Sequence, residues 1–292
     1  MLQITELTRR FGEVTAVDRV SFTVPPGLTG FVGGNGAGKT TTMRMVMGVL
    51  GIDEGEVTWQ GAPITSADRR RFGYMPEERG LYPKQGVVDQ LGYLGQLKGM
   101  TRAAARETVM AHLERFGLAD RAKEKVEKLS LGNQQRVQII AAVMAEPICL
   151  ILDEPFSGLD PSAMDSMADL LREHTSTGVP VLFSSHQLDL VDRLCDRLVV
   201  LARGRVVAAG SSEELRSTGP SRYRLVLDGD AGWVRDLRGL HVVDVDGPTA
   251  ILEVEEPGAE QALLTEALGR GAVHELSPIR PSLADIYREV TA

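Results

Sequence analysis

Gly33-Gly34-Asn35-Gly36-Ala37-Gly38-Lys39-Thr40 fits the pattern G-x-x-x-x-G-K-[ST], and its flanks supply the context that the pattern needs. The apolar run Leu28 to Val32 precedes it. Met43, Val46, Met47 and Leu50 follow at i, i+3, i+4 and i+7, the spacing of a helix that buries one face. Strand, loop and helix in that order read as a phosphate-binding loop. Its four glycines allow the tight turn that brings backbone N–H groups against a polyphosphate, Lys39 adds a point charge, and the Thr40 hydroxyl can reach a Mg²⁺ ion. The implied ligand is a nucleoside triphosphate; the alternative is a glycine-rich turn with no ligand.

The 292 residues suffice for one large domain and a smaller one. A net charge of −8 argues against a general nucleic-acid binder, which needs a basic surface for phosphate contacts. No run approaches the ~18 to 20 apolar residues of a transmembrane helix, and Met1-Leu2-Gln3-Ile4 has neither the basic nor the apolar region of a signal peptide. The expected location is the cytosol. Cys149 lies in an apolar run and Cys195 in a helical pattern, without metal-ligand spacing, so both read as small hydrophobes.

Outward from the loop, Leu2 to Leu7 and Val20 to Val24 alternate apolar and polar residues as half-buried antiparallel strands do. Phe11 lies between them. Its flat ring can stack on a base, or it is simply core. Gly55 to Trp59 and Phe72 to Met75 read as further strands. Val87, Leu91, Leu94 and Leu97 then take helical spacing, and a second helix opens at Thr101 with Ala105, Val109, Leu113 and Phe116 on one face. Leu129 to Arg136 introduces a third helix, whose buried face is Val137, Ile140, Ala141 and Met144. Ser130 and Gly132 stand at its mouth, where unpaired N–H groups favour an anion; they read as a helix cap or as a second phosphate contact.

Ile148 to Leu152 is a continuous apolar run ending in Asp153-Glu154, the form of a fully buried parallel strand with carboxylates at its carboxyl end. The two have separable jobs. Asp153 can hold Mg²⁺, and Glu154 can orient or deprotonate a water for attack on a γ-phosphate. Beyond Ser157-Gly158-Leu159-Asp160 comes a helix with Met164, Met167, Leu170 and Leu171 as core. Val179 to Ser184 is a strand that closes on Ser185-His186, where the imidazole can donate to a γ-phosphate or remain a satisfied surface group. Leu198 to Leu201 and Arg205 to Ala208 read as a hairpin around Arg203-Gly204.

Over residues 1 to 218 these motifs, in this order, resemble the nucleotide-binding subunit of ATP-binding cassette (ABC) transporters. Gly33 to Thr40 matches the Walker A motif, Leu129 to Arg136 the ABC signature, Ile148 to Asp153 the Walker B motif, Ser157 to Asp160 the D-loop and His186 the switch histidine. The resemblance implies a P-loop α/β core with an antiparallel β subdomain and a helical subdomain over about residues 78 to 145. It implies ATP held by Phe11, Gly33, Asn35, Gly36, Gly38, Lys39, Thr40 and Thr41. Ser130, Gly132 and Asp160 would act on ATP across a dimer of two copies. Mg²⁺ would be held by Thr40, Asp153 and Glu77, with Glu154, His186 and Lys39 catalytic.

Two positions depart from the family pattern. The signature has Leu131 where the family has its first glycine, and the Q-loop has Glu77 where the family has Gln. Both look like a subgroup of subunits that serve ABC-2-type exporters and carry an additional C-terminal domain. After a linker, Ser211 to Ser221, residues 219 to 292 follow a βαββαβ order, which suggests a ferredoxin-like α+β domain, with a last helix from Ser282 to Val290. The implied partners are a second copy and a separate permease, received by Glu78-Arg79-Gly80-Leu81-Tyr82 and its neighbours at the cytoplasmic face of the membrane. The competing reading is a soluble ABC ATPase acting in assembly or regulation.

Overall fold

The computed structural model describes residues 1–78, 80–217, 221–279, 282 and 285–288. Two compact units, Met1–Ser211 and Ser212–Ala292, divide the chain. The expected boundary at 218/219 falls outside the described residues.

In the first unit a six-stranded sheet carries the loop. Its order is β10 (Arg205–Ser211), β9 (Arg197–Ala202), β3 (Gly27–Gly33), β8 (Pro180–Ser185), β7 (Cys149–Leu152) and β6 (Phe72–Met75). All neighbours are parallel except the edge strand β10, which forms the expected hairpin with β9. Every residue of β7 and β8 is buried, as strands covered on both faces require. The carboxyl ends of β3, β7 and β8 are therefore neighbours, and Gly33, Asp153 and Ser185-His186 follow from them.

A second, antiparallel sheet orders β2 (Val14–Val24), β1 (Leu2–Phe11), β4 (Glu54–Trp59) and β5 (Ala62–Pro63). The strand expected at residue 20 begins at Val14, so β1 and β2 form one long hairpin. The alternation in β1 fails at Glu6, whose φ of 50° marks a bulge, and Glu6 N finds the Ser21 hydroxyl at 2.8 Å. Helix α1 (Lys39–Val46) touches β1, β2 and β3, and its Met43, Met45 and Val46 share one core with Leu2, Val20, Phe22 and Phe31.

The helical insert comprises α3 (Val87–Leu97), α4 (Arg102–Arg115) and α5 (Leu131–Val143), after the short α2 (Ser66–Arg71). Thr101 caps α4 as expected, and Ala105, Val109, Leu113 and Phe116 are buried. Leu97, placed on the apolar face of α3 by its spacing, is 63 % exposed because it stands in the last turn. Helix α5 buries more than the single face expected: Gln134, Gln135 and Gln138 are buried with Val137 and Ile140. The cause is a second contact surface. Besides α3 and α4, α5 lies on β6 so closely that a Cβ on Gly73 would stand 2.3 Å from Ala142 O. Helices α6 (Pro161–Ser176) and α7 (Leu188–Leu194) complete the unit, with Met167, Leu170 and Leu171 in the core and Met164 half-buried.

In the second unit α8 (Ser212–Ser217) occupies most of the stretch expected as linker; Glu213 and Glu214 in its first turn and Arg216 in its last suit the helix dipole. Strands β11 (Ser221–Leu227), β12 (Leu240–Asp246), β13 (Thr249–Val254) and β14 (Val273–Ile279) form an antiparallel sheet ordered β12-β13-β11-β14. With α9 (Ala259–Arg270), this is the ferredoxin-like arrangement. The first crossover is a 3₁₀ turn, Gly232–Asp236, where a helix was expected. Leu225, Leu252 and Leu263 are fully buried at its centre. Of the expected last helix, residues 285–288 are helical; 283, 284, 289 and 290 lie outside the described residues.

Candidate active site

The phosphate loop is wedged between two backbones. Gly36 and Gly38 have φ of 76° and 105°, values that favour glycine. A Cβ on Gly38 would stand 2.7 Å from Ala16 O, and one on Gly33 would stand 2.6 Å from Leu201 O. Lys39, only 8 % exposed, turns its ammonium back onto the loop, where Nζ donates to Gly33 O at 2.6 Å and Gly34 O at 3.4 Å. Thr40 Oγ1 donates to Glu77 Oε2 at 3.4 Å. A cleft of about 410 Å³ is lined by Ala16, Gly34 to Thr41, Glu77, Asp153 and Glu154.

The two carboxylates enter this cleft from β7 in different ways. Asp153 is fully buried and accepts from Ser184 Oγ at 2.5 Å through Oδ1, while its Oδ2 is buried with no hydrogen-bond partner among the described residues. A buried anionic oxygen left unpaired beside a hydroxyl and a second carboxylate suits a hard cation or its water shell. Glu154 has a φ of 51°, uncommon for a non-glycine residue. Burial pushes its carboxyl above the usual range, against the opposing pull of His186 and Lys39. His186 Nδ1 meets Glu154 Oε2 at 2.9 Å. The structure thus brings together Asn35, Gly36, Gly38, Lys39, Thr40, Thr41, Glu77, Asp153 and Glu154, with His186 joined through Glu154 and Gly33 through Lys39.

Phe11, Ser130, Gly132 and Asp160 do not line the cleft. Phe11 is 48 % exposed at the end of β1, with the Arg9 guanidinium 5.1 Å from its ring centroid, so the alternative of a core residue is excluded. Ser130 caps α5, accepting from Asn133 N at 3.4 Å, and remains exposed. Gly132 meets the D-loop: a Cβ there would stand 2.8 Å from Gly158 O. Leu131, where the family has glycine, projects outward and is 59 % exposed, which explains why a bulky side chain is accommodated. Asp160 caps α6 through Oδ1 to Ala163 N, and its Oδ2 pairs with Arg136 Nη2 at 2.6 Å.

Three residues of this site were not singled out in the sequence, although Gln135 falls within the signature match Leu129 to Arg136. Ala16 contributes a backbone wall, Ser184 ties Asp153 to Glu154 N at 2.8 Å, and Gln135 donates to Glu154 O and Pro155 O. Each acts across a long stretch of chain through atoms that no motif records. A larger cavity of about 870 Å³, lined by His112, Arg115, Glu173 and His174, contains no residue of the phosphate loop. Its Arg115 and Glu173 form a two-bond ion pair at 2.6 and 2.8 Å.

Residues 17–157 match the family model described as ABC transporter, and residues 210–291 that described as ATP-binding protein DrrA1-3-like, C-terminal domain. The uncharacterized ABC transporter ATP-binding protein YhaQ of Bacillus subtilis is 40 % identical, over 99 % of this chain and 98 % of its own length. Nod factor export ATP-binding protein I of Burkholderia lata is 33 % identical, over 99 % of this chain and 96 % of its own. A solved ATP-binding subunit of an ABC transporter superposes with a TM-score of 0.70 at 30 % identity, covering 75 % of this chain and 92 % of that one. The chain belongs to the ABC transporter family, as an ATP-binding subunit of the ATP-hydrolysing class.

Proposed function

We propose that this ATPase works as a pair of identical chains that powers a separate membrane permease, and that the direction of transport is export. The observation that carries the pairing is the separation of parts. Lys39, Thr40, Asp153 and Glu154 converge on one cleft, while Ser130 and Gly132 stand at an exposed helix mouth that does not line it. A triphosphate on the loop of one chain is then covered by the mouth of the other, giving two composite ATP sites. The printed name of the Burkholderia relative, an export protein similar over nearly its full length, supports the direction. No helix among the described residues is long and apolar enough to cross a membrane, in keeping with a permease on another chain and attachment at the cytoplasmic face. Glu78 to Tyr82 is the surface proposed to receive it; Tyr82 is 60 % exposed, and Arg79 lies outside the described residues.

Within each site Lys39 and the loop N–H groups bind the phosphates, and Phe11 stacks on the adenine. Thr40, Asp153 and Glu77 would hold Mg²⁺, which supplies neutralisation of phosphate charge when bound. Glu154 orients the attacking water and accepts its proton, and His186 donates to the γ-phosphate and steadies Glu154. Complementation tests the composite site. Ser130→Arg spoils the mouth and Lys39→Ala spoils the loop, so each chain alone is inactive, whereas a mixture forms one intact site per mixed pair and regains ATPase activity. A mixture as inactive as its components rules out composite sites.

A further inference from the structure

Glu154 is gripped by its backbone from two sides. Ser184 Oγ, on β8, accepts from Glu154 N at 2.8 Å, and Gln135 Nε2, on α5, donates to Glu154 O at 2.9 Å and Pro155 O at 3.1 Å. Both side chains are buried. The residue between them has a φ of 51°, a conformation that persists only where the surroundings enforce it. An unbranched primary amide suits the task on α5, because one nitrogen carries two protons and can serve two successive carbonyl groups. Without it, the carbonyls of Glu154 and Pro155 both lose their donor, and Glu154 can relax out of the left-handed region, which swings the direction in which the carboxylate leaves the backbone.

Gln135 also sits on the helix whose first residues carry the mouth. Five residues separate it from Ser130, about 7.5 Å along the axis of one rigid helix. Arg136, the next residue, holds Asp160 at 2.6 Å and Phe116 O at 3.1 Å, and Gly132 lies against Gly158 O. Helix α5 is thereby joined to the segment from Glu154 to Asp160 at both ends, and a displacement of the mouth is passed to the peptide after Glu154.

We propose that Gln135 is a positioning residue for Glu154, and that through it the state of the α5 mouth sets the aim of the carboxylate in the same chain. The proposal rests on the reading of Glu154 as the group that orients water and of Ser130–Gly132 as the cover of the other chain's ATP. Its consequence is coupling. When the mouth of one chain closes on the triphosphate of its partner, α5 is fixed, Gln135 is fixed with it, and the first chain's own Glu154 is brought to its working angle. Hydrolysis at the two sites is then cooperative, by a route that runs inside each chain.

The test compares the full-length chain with Gln135→Met, which keeps length and volume but has no donor, and Gln135→Asn, which keeps the donor on a stem one methylene shorter. Steady-state ATPase rates against ATP concentration, the ATP dissociation constant and Tm are measured for each, with Glu154→Gln in parallel. The expected result is a fall in kcat of roughly 10- to 100-fold in Gln135→Met, a smaller fall in Gln135→Asn, an unchanged ATP affinity and a Hill coefficient reduced toward one. Should Gln135→Met fail to fold, Gln135→Asn carries the same readings. Wild-type kcat and cooperativity in the folded Gln135 variants, with Glu154→Gln inactive, overturn the proposal and leave the reading of Glu154 standing. ATP affinity and Tm that fall in step with kcat also overturn it, since they mark a structural role. Turnover retained in Glu154→Gln removes the reading of Glu154, and the proposal with it.

Discussion

His186 Nδ1 and Glu154 Oε2 lie 2.9 Å apart, the imidazole 59 % exposed and the carboxylate 13 %. The pair joins the carboxyl end of β8 to that of β7, so an exposed imidazole holds a largely buried carboxylate. Because burial raises the carboxyl of Glu154 and outweighs the pull of His186 and Lys39, the acid side of the pH–rate profile is displaced above the ordinary carboxylate range. A base works only when ionised, so kcat falls as pH falls through that raised value. Steady-state rates across pH check this, and an acid limb in the ordinary carboxylate range contradicts it.

Glu154→Gln should lower turnover by roughly 10²- to 10⁴-fold while ATP still binds. The same change should raise Tm at neutral pH. A group whose folded-state value is raised favours the fold while protonated and opposes it as pH rises through that value. The neutral amide removes that opposition, so the gain in Tm disappears in acid, below the ordinary carboxylate range. Paired thermal melts at two pH values measure it.

Gly132→Ala and Leu131→Gly should differ in cost despite being neighbours. The added methyl at 132 meets the backbone oxygen of Gly158 at 2.8 Å, a contact that no side-chain rotation relieves. We expect a loss of ~1–3 kcal/mol, read by chemical denaturation. Leu131 is 59 % exposed, so its replacement by the family's glycine should cost less than ~1 kcal/mol. A larger loss at 131 than at 132 refutes the account of why the signature departs from the family where it does.

Phe11→Ala removes the exposed ring proposed to meet adenine. Stacking of a base on an aromatic side chain is worth ~1–3 kcal/mol, so the ATP dissociation constant should rise roughly 5- to 150-fold. Phe11→Trp should retain affinity. Equilibrium binding of ATP measures both, and an unchanged affinity in Phe11→Ala removes the stacking role.

Leu263→Ala opens a cavity at the centre of the second unit, where Leu263 is fully buried. A loss of ~2–5 kcal/mol is expected for such a site. It should appear in the thermal transition of residues 212–292, with that of the ATP-bearing unit unchanged. A single shifted transition for the whole chain would mean that the two units unfold as one.

The loop and its flanking elements were legible because their signals are local: an apolar strand, glycines at left-handed positions and a helix with one periodic face. Asp153 and Glu154 were legible for the same reason, as polar residues ending an apolar run. Gln135 and Ser184 were not. Gln135 lies within the signature match and Ser184 inside a strand, but the partner of each is 19 or 30 residues away, so only the packing of α5 and β8 on β7 reveals the contact. The three buried glutamines of α5 misled the periodicity in one direction, and Ser212–Ser217 did so in the other, as a polar segment that nevertheless closes a helical turn.

Gly73 bears on where the insert can sit. A Cβ there would stand 2.3 Å from Ala142 O on α5 and 2.5 Å from Leu150 Cδ2 on β7, so backbone on one side and a core side chain on the other leave no room for one. The approach of α5 to β6 is thus as close as a bare glycine allows. Any side chain at position 73 would act as a spacer, lifting the helix that carries Ser130 and Gln135 away from the sheet that carries Asp153 and Glu154.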